Sequence, residues 1–319
     1  MSDSHASDRP LVLGSRGSPL AIRQTGMVRD EIAARNPGLT VEIQIIKTTG
    51  DRRQEWAHAG QAGDGKGIFV KEIDDALVEG RVDAAVHSLK DLPTEIAPGL
   101  LIAAIPLRED PRDVVASPAG LSFEALPSGS RVGTGSPRRV SQLRHARRDL
   151  IFVAIRGNVE TRLRKMRQGD LDAVVLAAAG LKRLGLMDRT CSLLPVKLCL
   201  PAVGQGALAI EARDEEGWVR TALAHLHDPP TAACVTAERA FLRALGGGCQ
   251  LPIAALATLE GETVTLRGVV CDPEGEVVIR VEASRRVGEA AALGAEAASR
   301  AIDAGAAELL ASVEKPAGE

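Results

Sequence analysis

Tyrosine is missing from this 319-residue chain, and aromatic residues make up only 2% of it. Stacking platforms for single-stranded nucleic acid need aromatic faces, so a reader of bases is disfavoured. A large net charge is missing too: 39 basic against 42 acidic side chains leave −3. Any affinity for anions must therefore come from local clustering. Long apolar runs are also missing. The longest, Ala173–Leu181, has nine residues including a glycine, whereas a spanning helix needs about 20. Met1–Pro10 is polar and shows no apolar core of a secretion signal. These absences predict no membrane contact and a cytoplasmic location. Cysteine is sparse, five in number with no Cys-x-x-Cys pair. That predicts reduced thiols rather than a disulfide framework or a zinc site. His225 and His227 lie two apart on a predicted helix and do not face each other, so no metal site is predicted.

What is present suits two or three ordinary domains with a well-filled core: 45% of residues are hydrophobic and 25% charged. Leu11-Val12-Leu13 leads into a glycine-marked turn. Ser18 then fits a helix N-cap with Pro19 at the first helical position, and the helix runs to about Asn36. Val41–Ile46 reads as a strand, 48–67 as a long glycine-marked loop, Ile68–Glu79 as a helix and Asp83–His87 as a strand. The same grammar returns at Arg131. A strand, Gly133-Thr134-Gly135-Ser136-Pro137 and a helix to about Arg148 precede a strand at Leu150–Ile155, a helix at Asn158–Gln168 and a strand at Leu171–Ala177. Gly80-Arg81-Val82-Asp83-Ala84-Ala85-Val86 is echoed by Gly169-Asp170-Leu171-Asp172-Ala173-Val174-Val175. These echoes predict two similar α/β lobes. The segment Leu200–Glu211, marked by Pro and Gly, is expected to cross back between them. Two helices follow, near Glu215–His227 and Thr231–Leu245. After Gly246-Gly247-Gly248-Cys249, strands at Ile253–Leu259, Thr263–Cys271 and Val277–Ser284 alternate with turns, and a last helix covers about Gly288–Val313. The expected division is 10–107 with 201–224 as a first lobe, 108–200 as a second, and 225–319 as a smaller α+β domain with a three-stranded antiparallel sheet.

Charge is the strongest chemical signal. Between Arg131 and Arg167 stand eleven basic residues and two acids, Asp149 and Glu160. Arg138 and Arg139 follow Ser136-Pro137 at a helix start, and Arg156 follows a strand. Open α/β sheets bind ligands beyond the carboxyl ends of their strands, and helix N-termini add unpaired N–H groups. Guanidinium forks suit carboxylates. A cleft for a polycarboxylate or polyphosphate follows. Arg144, Arg147, Arg148, Arg164 and Arg167 read as a solvated face. Lys90-Asp91 follows a strand end, where a carboxylate can steady a developing cation or move a proton, although an aspartate at a turn is also a common cap. Cys249 sits on a glycine loop that admits close approach, as a nucleophile or an attachment point. Cys191, Cys199, Cys234 and Cys271 lie in apolar patterns and read as core thiols.

Several stretches, in order along nearly the whole chain, resemble the porphobilinogen deaminase (hydroxymethylbilane synthase) family. They are Ile68-Phe69-Val70-Lys71-Glu72, Val86-His87-Ser88-Leu89-Lys90-Asp91-Leu92-Pro93, Arg108-Glu109-Asp110-Pro111-Arg112-Asp113 and Gly133-Thr134-Gly135-Ser136-Pro137-Arg138-Arg139. Leu181-Lys182-Arg183-Leu184-Gly185, Leu200-Pro201-Ala202-Val203-Gly204-Gln205-Gly206 and Glu238-Arg239-Ala240-Phe241-Leu242 continue the set, and Gly247-Gly248-Cys249-Gln250-Leu251-Pro252-Ile253 looks like the family's cofactor-attachment loop. The resemblance implies lobes like those of type II periplasmic binding proteins. It implies a dipyrromethane cofactor on Cys249 and a transferase that joins four porphobilinogens, releasing ammonia, into linear hydroxymethylbilane. It makes Asp91 the catalytic carboxylate. It gives Arg16, Ser18, Ser88, Lys90, Thr134, Ser136, Arg138, Arg139, Arg156, Arg162 and Arg183 to the carboxylates of cofactor and substrate, and Lys66 to a lid within 48–67. Gln205 reads as structural or hinge-related. A monomer without nucleic-acid or membrane partners is expected. Val12 and Ala62 stand where many members carry cations, a departure that removes charge near the cleft.

Two other readings compete. A two-lobed protein that closes on a small anion without catalysis would need neither Asp91 nor Cys249. A thiol transferase with Cys249 as nucleophile would want a histidine base beside it, and none lies within twenty residues in sequence.

Overall fold

The structure, a computed structural model, describes residues 9–48, 70–247 and 251–314. The expected lid beyond Thr48, with Ala62 and Lys66, lies outside the described residues, and so does Cys249. The chain forms two compact units, Met1–Arg108 with Ala207–Ala232 and Glu109–Gly206 with Ala233–Glu319.

The first unit is built on a five-stranded sheet of β1 (Leu11–Arg16), β2 (Val41–Ile46), β3 (Ala84–Ser88), β4 (Leu100–Ala104) and β10 (Leu208–Arg213). Its order is β2-β1-β3-β10-β4. β1 runs parallel to β2 and β3, while β10 runs antiparallel to β3 and β4. β1 and β10 are buried nearly along their length, as strands covered on both faces are. Helix α1 (Pro19–Arg35) places Val28 and Ile32 against Leu11, Leu13 and Ile210. Helix α2 (Lys71–Val78) places Ile73 and Leu77 with Ile46, Val82 and Leu100. Burying each such side chain contributes roughly 1.5–3 kcal/mol. Val12 packs on this second cluster. It stands four residues before Arg16 and does not line the cavity described below. At this position the side chain is a packing one.

The second unit contains a five-stranded sheet of β5 (Asp113–Ala116), β6 (Arg131–Gly133), β7 (Ile151–Val153), β8 (Ala173–Ala177) and β9 (Cys191–Leu193), in the order β7-β6-β8-β5-β9. β6 is parallel to β7 and β8, and β5 is antiparallel to β8 and β9. Order and directions repeat those of the first sheet, so the two-lobe expectation is met. Each sheet's fourth strand, β10 or β5, is the first one laid down after the chain passes from the other unit. At the return passage Gly206 has φ +90, and a Cβ there would sit 2.3 Å from the Glu109 carbonyl oxygen. Only glycine fits. Helices α3 (Pro137–Ala146), α4 (Val159–Arg167) and α5 (Ala178–Arg183) connect these strands.

The same unit holds an antiparallel sheet of β11 (Ile253–Glu260), β12 (Thr263–Cys271) and β13 (Val278–Arg286). Helix α7 (Pro229–Ala244) contributes Ala237 and Phe241 to its core, and α8 (Ala290–Asp303) contributes Leu293 and Ala297. A shorter helix, α6 (Trp218–Ala224), precedes α7 in the first unit. The single helix expected over 288–313 is two, because Gly305 at φ +98 stops α8 before α9 (Ala306–Glu314) begins.

Candidate active site

In the first unit the parallel strands end at one edge. β1 closes on Arg16 and β3 on Ser88, after which a 3-10 turn, Leu89–Asp91, carries Lys90 and Asp91. The register sets Gly14 opposite Ala85, which brings Arg16 level with His87. Arg16, Ser18, Gln24, His87, Ser88 and Asp91 line one cavity there. Ser18 caps α1, its Oγ accepting the Ala21 N–H at 3.3 Å, as its place before Pro19 predicts. The hydroxyl keeps a proton to donate. Ser88 Oγ and the Gln24 amide lie 3.0–3.1 Å apart through both amide atoms. That pair pins the end of β3 to α1. Asp91 is exposed and Lys90 half-buried. Gln24 and His87 escaped the sequence reading as site residues. The signal for Gln24 was a polar side chain three residues beyond Ala21 on the N-cap's own helix face.

The second unit repeats the arrangement. β6 ends before Thr134, whose Oγ1 accepts the Ser136 N–H at 3.3 Å. Ser136 occupies the N-cap of α3, but its hydroxyl makes no capping bond. It therefore differs from Ser18 in having its oxygen uncommitted to the helix. Arg156 follows β7, is exposed, and pairs with no carboxylate among the described residues. Arg162 on α4 donates from Nε to the Gly157 carbonyl at 2.8 Å. Burial, with the nearby Arg139 charge, lowers its pKa. Arg183 at the end of α5 donates from Nη2 to the Gly206 carbonyl at 2.7 Å. Burial lowers its pKa as well, against the pull of Glu109.

Arg138 and Arg139 are not open cations. They are 4% and 5% exposed, and both turn to Asp113, which is fully buried. Arg138 Nη1 donates to Asp113 Oδ2 at 2.7 Å and to the Leu200 carbonyl at 2.8 Å. Arg139 donates to Oδ1 from Nη2 at 2.8 Å and to the Val175 carbonyl from Nη1 at 2.9 Å. Gln205 Nε2 adds a bond to Oδ1 at 2.8 Å, which makes Gln205 structural. Burial alone would raise the Asp113 pKa, but the two guanidiniums hold it well below the usual carboxylate range. The reason for the inward turn is charge balance: buried guanidiniums persist only where paired. One donor is left over, since Arg138 Nε is buried and makes no hydrogen bond.

Arg147, expected on a solvated face, instead ties turns together. It donates to Asp149 Oδ2 at 2.7 Å and to the Leu126 carbonyl at 2.9 Å. Arg144 pairs with Glu274. Cys199, Cys234 and Cys271 are buried, and Cys191 is half-buried. Burial, helped by Asp113, pushes the Cys199 thiol up to about 12, and burial pushes Cys271 up to about 12 as well. Such thiols are poor nucleophiles. His227 Nδ1 lies 3.3 Å from the Ile105 N–H, a backbone tie. No group of metal-ligating side chains occurs among the described residues, and no described helix is long and apolar enough to cross a membrane.

Residues 11–221 match the family model for the porphobilinogen deaminase dipyrromethane cofactor binding domain, and residues 232–303 match the model for the porphobilinogen deaminase C-terminal domain. Curated relatives named porphobilinogen deaminase include one from Syntrophotalea carbinolica, 46% identical over 308 residues that span 97% of each chain. Another, from Syntrophus aciditrophicus, is 48% identical over 302 residues, 95% of this chain and 98% of the relative. Among solved structures, the BenM effector binding domain with benzoate covers 69% of this chain and 91% of its own at 16% identity and a TM-score of 0.43, a likeness too loose to bear on function. With two successive domain models and relatives near half identical over almost the full length, the chain belongs to the porphobilinogen deaminase family.

Proposed function

We propose that this chain joins four porphobilinogens head to tail into hydroxymethylbilane with Asp91 at the reacting centre and Cys249 as the anchor of the cofactor. The family's activity is a transferase step of tetrapyrrole biosynthesis, and its cofactor is dipyrromethane. The observation that carries the assignment of residues is the strand-end cavity of the first unit, where Asp91 stands with Arg16 and Ser18.

The residues fit a carboxylate-bearing pyrrole chain. Arg156 and Arg162 pair with no acid among the described residues, and the buried Arg138 Nε awaits an acceptor. Carboxylates supply what these donors lack. Bound dipyrromethane supplies the nucleophilic pyrrole end from which the chain grows. Arg16, Ser18, Ser88 and Lys90 bind acetate and propionate groups in the first unit. Thr134, Ser136, Arg138, Arg139, Arg156, Arg162 and Arg183 do so in the second, with Asp113 fixing the aim of Arg138 and Arg139. Asp91 protonates the leaving amine, so that the C–N bond of porphobilinogen breaks with loss of ammonia. Its carboxylate then faces the methylene-pyrrole cation, which it stabilises, and finally accepts the proton lost when the ring regains aromaticity. The protein acts in the cytoplasm as a monomer, with two lobes and a C-terminal domain over 225–319.

Asp91→Asn tests the assignment. The variant should fold and carry its cofactor yet lose kcat by at least about a hundredfold, the usual scale of a positioned acid–base group. Normal turnover would remove Asp91 from the chemistry.

A further inference from the structure

Behind the Asp91 cavity lies a buried charged cluster that the reaction scheme leaves unused. His87 on β3 is opposite Ala209 on β10, and Ala85 is opposite Glu211. His87 and Glu211 therefore project from the same face of the sheet, diagonal to each other. They are 8% and 1% exposed, and His87 Nε2 lies 3.1 Å from Glu211 Oε2. From α2, Asp74 joins them. Its Oδ1, the His87 Nε2 and the Glu211 Oε2 are all buried without an aligned hydrogen bond. Burial first, then the Glu211 charge, pushes the Asp74 carboxyl up to about 7, with His87 opposing.

Three elements thus bring two acids and an imidazole together, with His87 and Glu211 buried and Asp74 half-buried. Two carboxylates side by side resist both being charged, which favours a proton on Asp74. Apolar side chains would fill this space at less desolvation cost. The surrounding charged groups are few. Arg16 from β1 and Asp91 line the cavity beside His87, Glu72 and Asp75 belong to α2, and α1 presents the uncharged Gln24.

We propose that His87, held by Glu211 and Asp74, is a positioning residue that couples one buried proton to the cavity's affinity for the carboxylates of porphobilinogen. The inference rests on the function proposed above. Loss of the Asp74 proton adds a negative charge beneath the cavity. That charge offsets Arg16 and repels a substrate carboxylate. KM rises with pH while kcat is nearly unaffected.

The test follows KM and kcat of holoenzyme for porphobilinogen from about pH 6 to about pH 8.5, a range bracketing the histidine and raised-carboxylate region, for the natural protein, Asp74→Asn and Asp74→Glu. Titration of porphobilinogen itself is common to all three and cancels in their ratios. The ratio of natural to Asp74→Asn KM should grow by about three- to tenfold across this range, the scale of one partly screened charge nearby. Asp74→Glu should restore the natural dependence. A ratio constant with pH overturns the proposal. His87→Gln should raise KM and flatten its pH dependence; a profile overlying that of the natural protein overturns it equally. If the variants do not fold, infrared difference spectra of the natural holoenzyme decide. A protonated-carboxyl band must disappear between about pH 6 and 8, and its absence sinks the idea. Failure of the natural protein to form hydroxymethylbilane would instead remove the function reading, and the infrared titration would still report on the Asp74 proton.

Discussion

Asp113 illustrates how one residue governs several. It accepts from Arg138, Arg139 and Gln205, and Gln142 extends the network by bonding both the carbonyl and the amide of Leu200. Replacing the charge while keeping the shape leaves two buried guanidiniums without a counter-ion. Asp113→Asn should therefore lose about 3–5 kcal/mol of stability, the usual penalty for breaking a buried pair, as read from denaturant unfolding. A loss under about 1 kcal/mol would mean that carbonyls and water compensate both arginines. The charge density around these arginines was legible in the sequence. Their inward turn was not, because their partner lies 25 and 26 residues away in sequence. Ser18 was legible as a cap because capping is local. His87 was hidden for the opposite reason: its significance comes from Glu211 on a strand more than a hundred residues later.

Among the elements, those with a repeating pattern could be read and those without one could not. Val41–Ile46 and Thr263–Cys271 have the bounds that the sequence suggests. β11 and β13 differ only at their ends, since turns such as Glu260-Gly261-Glu262 mark where alternation stops. The strands β4, β5 and β9 carry no such pattern. They are three to five residues long, too short to show a period, although Pro98-Gly99 before β4 and Pro118-Ala119-Gly120 after β5 do mark turns. β5 is fully buried, so it shows no alternation between faces. The helix break at Gly305 was missed because the apolar stripe continues through it. At Gly206 geometry leaves less freedom: a side chain meets the Glu109 carbonyl, and φ is positive. Gly206→Ala should lower stability by about 1–3 kcal/mol, the cost of a strained backbone position, with a matching fall in Tm. Unchanged unfolding would show that the Glu109 turn moves aside freely.

For the whole molecule, the repeated sheet order explains the internal echoes of the sequence. Each Ser-Pro turn opens a helix after a parallel strand, and each Asp-Ala pair, Asp83-Ala84 or Asp172-Ala173, leads into the neighbouring strand, Ala84–Ser88 or Ala173–Ala177. The repeat sets polar and basic side chains at a strand-end edge in both units, Arg16 and Ser18 in one and Thr134 and Ser136 in the other, an arrangement in keeping with the proposed function. The membership of the chain in the porphobilinogen deaminase family agrees with this arrangement. The proposed function stands or falls on a covalent pyrrole primer on Cys249 that the chain extends. A denaturing mass spectrum of the purified protein after incubation with porphobilinogen, beside Cys249→Ser, tests that most directly. A mass excess of two linked pyrrole units or more is expected on the natural protein and none on the variant. A natural protein that keeps only its polypeptide mass, or a variant that gains the same adduct, would contradict it.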